Sequence, residues 1–223
     1  MTDPAAFTFA DNWTGGFYEL GIELGASEDA RLQRALDALW AVAGIEGCSP
    51  SRAAEPGDQP ELPRTLASLE LTGHLLGRIA VPGLGRMVCG AVVIRDLDGT
   101  DWLGLYLPLG ALSLLELRVG AFPFGPDGDE RSLAWRRPLD DWLAGIAAAV
   151  FRAVPFTMAT VGFECLAEPS AADLDGRVPA TRPRRAPPAR RRRWPLVPPR
   201  DQLEHSWDDH LRRRPRLYVS VYV

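Results

Sequence analysis

The sequence contains no lysine: all 25 of its basic residues are arginine. This excludes a phosphate loop of the G-x-x-x-x-G-K-[ST] type, whose lysine reaches the terminal phosphates. Cysteine is scarce as well. Cys48, Cys89 and Cys165 stand far apart with no C-x-x-C pair, which reads as reduced, buried thiols rather than a disulfide frame or a zinc site. The only histidines are His74, His205 and His210. The last two are five apart, out of step with the i, i+4 spacing that sets two imidazoles on one helix face for a metal. A catalytic thiol within residues 1–177 would have His74 alone as its base.

Long apolar runs are missing. Ile146–Phe151, among the longest, falls far short of the roughly 20 residues that a membrane span needs. Met1-Thr2-Asp3-Pro4 shows no basic segment leading into an apolar stretch, as an export signal would, so the expected location is cytoplasmic. There is no G-x-G-x-x-G loop and no G-x-S-x-G elbow. No cofactor and no metal are therefore expected, and an enzyme would have to use dispersed residues.

What is present divides at Arg177. Residues 1–177 hold 13 arginines against 25 aspartates and glutamates, whereas residues 178–223 hold 12 arginines against 4 acids. The formal net charge of −4 thus conceals an acidic body and a basic tail. Thr181–Arg200 is mostly Arg, Pro and Ala, a composition that buries too little apolar surface to offset chain entropy. The tail is expected to be disordered or loosely attached. It offers one short amphipathic helix within Asp201–Arg213 and one strand at Leu217–Val223.

In the body, Tyr18, Leu20, Ile22 and Leu24 alternate with Glu19 and Glu23, the pattern of a half-buried strand with its glutamates in solvent. Ser27 then suits a helix N-cap. Leu32, Ala35, Leu36, Leu39, Trp40 and Ala43 trace one apolar stripe, and Gly44 closes the helix. After an acidic, Pro-rich loop, strands are predicted at Leu66–Leu71, Leu75–Val81, Met87–Arg95 and Trp102–Leu107. The turns Pro82–Gly85 and Asp96–Gly99 separate the last three. Leu112–Val119 fits either a strand or a short helix. Pro138 suits the first turn of a second helix that Pro155 ends, and Phe156–Glu164 reads as a last strand. The expected fold is α+β: an antiparallel meander with two helices packed on one face.

Asn12–Leu20, the Trp40 to Cys48 segment and Trp135–Leu143 together resemble a family of uncharacterised proteins from high-GC bacteria. The likeness spans about residues 7–179. It implies a single domain ending near Arg177, and it brings no activity and no site residues with it.

Among candidate residues, Asp96, Asp98 and Asp101 could hold a hard cation, but an Asp-x-Asp-Gly run is also the ordinary composition of a tight turn. Glu19 and Glu23 could act as an acid–base pair only inside a cleft that separates their pKa values. Trp13, Trp135, Arg136 and Arg137 lie outside any clear periodicity, and exposed Trp and Arg are favoured as partner anchors. Arg182, Arg184, Arg185, Arg190, Arg191, Arg192, Arg193 and Trp194 could hold phosphates and stack on a base. The leading expectation is a non-catalytic protein-interaction module of the small bacterial immunity type, with a basic partner. Weak nucleic-acid binding through the tail is the alternative, and an enzyme with an unrecognised site comes third.

Overall fold

The computed structural model of the chain describes residues 2–97, 99–121, 135–166, 171, 202–206 and 216–222. The strands are β1 Phe17–Ala26, β2 Glu46–Ser49, β3 Leu75–Val81, β4 Gly85–Arg95, β5 Thr100–Pro108, β6 Met158–Phe163, β7 Gln202–Ser206 and β8 Arg216–Tyr222. The helices are α1 Asp29–Ala43, α2 Leu66–Thr72, α3 Leu109–Leu115 and α4 Arg137–Ala153. The body forms a six-stranded antiparallel sheet in the order β2-β3-β4-β5-β1-β6. The α+β meander is as the sequence predicts. β8 adds to β6 in parallel, and β7 pairs antiparallel with β8.

β1 is central. Tyr18, Leu20, Ile22 and Leu24 are all buried, on the face that α1 and α4 cover. The α1 stripe is buried as its spacing requires, and Gly44 ends the helix in the left-handed region at φ 64°. Each fully buried leucine there contributes on the order of 2 kcal/mol. α4 buries Leu139, Leu143, Ile146, Ala147 and Val150 and carries its proline in the first turn. Among the described residues, no helix is long and apolar enough to cross a membrane.

Four expectations need correction. Leu66–Leu71 is helical, not a strand: the Thr65 hydroxyl accepts the Ser68 N–H, and Gly73 closes the turn at φ 77°. These two caps outweigh the β-like run, turning Leu69 inward and leaving Leu71 exposed. The N-cap position of α1 is Glu28, because the Ser27 hydroxyl is drawn instead to the Gly99 carbonyl and to Asp101. Gln202–Ser206, placed in a tail helix by its spacing, is a strand paired with β8. β2 has no counterpart among the predicted strands; it is only four residues long and holds two irregular pairs with β3. The ambiguous stretch resolves as α3 followed by a 3-10 turn at Leu117–Ala121.

Candidate functional site

The antiparallel register sets Glu19, Gly21 and Glu23 of β1 opposite Tyr106, Gly104 and Trp102 of β5. On the other side the same three residues face Gly162, Thr160 and Met158 of β6. Because side chains alternate along a strand, all nine share the face turned away from α1 and α4. Three rows result: a carboxyl beside a tyrosine, a floor of two glycines beside a threonine, and a carboxyl beside a tryptophan.

Glu19 and Glu23 are expected in solvent, yet each is only 7% exposed. The chain returns over them after β6. The Leu166 N–H donates to Glu19 Oε2 at 3.1 Å, and the Ala171 N–H donates to Glu23 Oε2 at 2.6 Å. Leu166 packs into the glycine floor: a Cβ at Gly104 would stand 2.7 Å from a Leu166 methyl, and one at Gly21 3.3 Å from the Leu166 Cα. Trp102, Met158, Leu166 and Ala171 make a small apolar cluster separate from the main core. Strand periodicity therefore places the glutamates on the correct face but cannot see a cover supplied 147 and 148 residues later in the chain.

The electrostatics follow from this enclosure. Burial raises the Glu19 carboxyl to about 7; the Leu166 amide opposes the rise, Glu164 adds to it, and the Cys165 amide opposes it. Burial, with the Glu19 charge next, pushes the Cys165 thiol up to about 12. Its sulfur donates to the Glu19 backbone carbonyl at 3.6 Å, and the Thr160 hydroxyl donates to the Cys165 carbonyl at 3.1 Å. Burial also raises the Tyr106 phenol. Its ring packs against Phe17 with centroids 4.7 Å apart and occupies the space above Gly90.

The proposed anchors sit mostly inside. Trp13 is 8% exposed; its indole N–H donates to the Phe7 carbonyl at 2.8 Å, while the Arg52 guanidinium lies 5.7 Å from its ring. Trp135 and Arg136 are buried, and Arg137 is exposed. The premise of exposure thus holds for Arg137 alone of these four. His74 is half-buried, and burial, then Arg52, lowers its pKa. All three cysteines are buried and unpaired. Asp96 serves the turn, its N–H donating to the Thr100 carbonyl, whereas the Asp101 carboxylate is taken by Arg95, Ser27 and Glu28. Asp98, Arg182, Arg184, Arg185, Arg190, Arg191, Arg192, Arg193 and Trp194 lie outside the described residues. Among the described residues no group of three or more His, Cys, Asp or Glu is arranged to hold a metal.

No protein-family model matches the chain, and no curated protein matches it in sequence.

Proposed function

We propose that this chain is a non-catalytic protein-interaction module that takes an extended segment of a basic partner on the Glu19–Glu23 face of its sheet. The observation behind this reading is that a piece of peptide already lies there. The chain's own return after β6 donates backbone N–H groups to both glutamates and sets a leucine between Gly21 and Gly104. A partner segment would use the same elements: carboxylates for cations and N–H groups, aromatic faces of Tyr106 and Trp102 for guanidinium groups, and a slot for one apolar side chain.

Charge supports a basic partner. Residues 1–177 hold 25 acids against 13 arginines. Several of those arginines are committed within the fold, as in the pairs Arg78–Glu55, Arg86–Glu46, Arg95–Asp101 and Arg118–Glu116. Asp58, Glu61, Glu70 and Asp141 are exposed and in no ion pair among the described residues. A field of this sign speeds the approach of a basic partner and weakens as salt rises.

The test uses a capped peptide of alternating arginine and leucine, titrated at about pH 8. Glu19→Gln and Glu23→Gln should each weaken binding by roughly ten-fold or more, while Asp58→Asn and Glu61→Gln change it by less than about two-fold. Association should slow as salt rises. Equal losses at Asp58 and Glu23, or a salt-independent association rate, would sink the reading. Retention of nucleic acid unaffected by Glu23→Gln would direct attention to the arginine tail instead.

A further inference from the structure

We infer that Glu19 is a proton-controlled latch on this face: neutral, it holds the Glu164–Leu166 segment over Gly21 and Gly104, and ionised, it releases it. The inference adds regulation to the docking face proposed above and rests on that reading only for its use.

Three geometric facts carry it. The segment is tied to the sheet at Glu19 by the Leu166 and Cys165 amides on the side-chain carboxyl and by the Cys165 thiol on the backbone carbonyl; the amides favour the charged carboxyl, and its burial outweighs them. Its first residue, Glu164, is held at φ 44°, the single non-glycine residue with positive φ among those described. A left-handed glutamate stores strain that release would relieve. Lastly, among the described residues no cation faces the buried carboxyl. Tyr106 faces it from β5, Glu23 shares its strand, and Glu164 and Cys165 face it from the segment. Arg52 acts on Tyr106 and Arg136 on Cys165, but neither acts on Glu19 among the described residues.

The direction follows from proton linkage. Closed, the carboxyl titrates at about 7. Open and solvated, it returns to the usual carboxylate range. The closed form therefore binds the proton more tightly and is favoured at low pH. Its advantage is complete below the open-state value and is lost as the pH rises through about 7. The opening constant should rise on the order of fifty-fold between about pH 5 and about pH 8.

Cys165 supplies the readout, since it is fully buried when the segment is closed. Alkylation of the full-length protein by iodoacetamide is followed at each cysteine by peptide mass spectrometry. Rates at each pH are divided by those of Glu19→Gln, which cancels the titration of the thiol itself. For Cys165 this ratio should rise on the order of fifty-fold across the range, and for Cys48 and Cys89 it should stay flat. A flat Cys165 ratio, or Cys89 rising in step with it, overturns the latch. Should Glu19→Gln not fold, Glu164→Gln provides a second reading. Removing that neighbouring charge should move the wild-type midpoint to lower pH, and an unmoved midpoint counts against the latch. No partner enters the experiment, so failure of peptide binding and failure of the latch are told apart.

Discussion

Arg136 sits 1% exposed at the start of α4, with a tyrosine as its main acceptor. Its Nε and Nη2 donate to Tyr18 Oη at 3.0 and 2.7 Å, and the Tyr18 hydroxyl donates onward to Asp140. The guanidinium also lies 5.1 Å from the Tyr18 ring centroid and 4.9 Å from that of Phe163. Burial raises the Tyr18 phenol, with Arg136 opposing and Asp140 adding, so the hydroxyl keeps its proton and can bridge cation to anion. Removing the guanidinium takes two donors from the buried Tyr18 hydroxyl and a nearby cation from Asp140. Arg136→Leu should therefore cost about 3–5 kcal/mol in urea unfolding, and adding Asp140→Leu should recover a large part. A single variant within about 1 kcal/mol of wild type would show that the network carries no such weight. The sequence hints at this only through the i, i+4 spacing of Arg136 and Asp140. Nothing in Trp135-Arg136-Arg137 says which arginine turns inward, because Tyr18 is far away along the chain.

At the scale of elements, α1 begins without a side-chain cap of its own. The cap comes from β5. Asp101 Oδ2 accepts the Glu28 N–H at 3.1 Å, Oδ1 accepts the Ser27 hydroxyl at 2.7 Å, and Arg95 donates to the same carboxylate at 2.8 Å while also reaching Asp29. Burial alone would raise the Asp101 pKa, but the hydrogen bonds from Arg95, Ser27 and Glu28 outweigh it and hold it below the usual value. A depressed carboxylate stabilises the fold above its unfolded pKa, and that contribution is lost as the pH falls through the folded value. Asp101→Ala should lower stability by about 2–3 kcal/mol near neutrality. Its deficit should begin to shrink below about pH 4, where the unfolded-state carboxylate protonates, and disappear as the pH falls through the lower folded value. A deficit that stays constant into acid would mean that the charge is irrelevant. Ser27 is the residue a capping rule selects, and the rule misses by one position because a hairpin residue reaches the helix first.

For the whole molecule, the question is how far the basic tail belongs to the body. β6 pairs with β1 over six consecutive positions, Tyr18–Phe163 through Glu23–Met158, whereas β8 adds to its outer edge over four. Among the residues whose burial is described, the main core cluster is drawn from residues 7–163. A chain ending near Pro179 should keep the cooperative unfolding midpoint within about 1 kcal/mol of the full chain. It should also lose any weak, salt-sensitive retention on nucleic acid. Failure of the shortened chain to fold would make β8 part of the body and move the domain boundary.

Much of the body was legible in the sequence because it is written in local periods. The 3.6-residue stripe of α1, the alternation of β1 and the Gly/Pro and Asp/Gly punctuation of the hairpins each report a face that only nearby residues must bury. Two helices and the β3-β4-β5 meander follow from those signals alone. α2 was missed because its caps, Thr65 and Gly73, frame only seven residues, too few for a period to declare itself. Of the candidate site, only the shared strand face of Glu19 and Glu23 was legible. Whether a strand's outward glutamate meets water or a returning backbone is decided by a segment distant in sequence. Only the folded chain brings Leu166 to Gly21 and Gly104, and a lone carboxyl acquires its altered affinity for a proton from that enclosure, not from its neighbours along the chain.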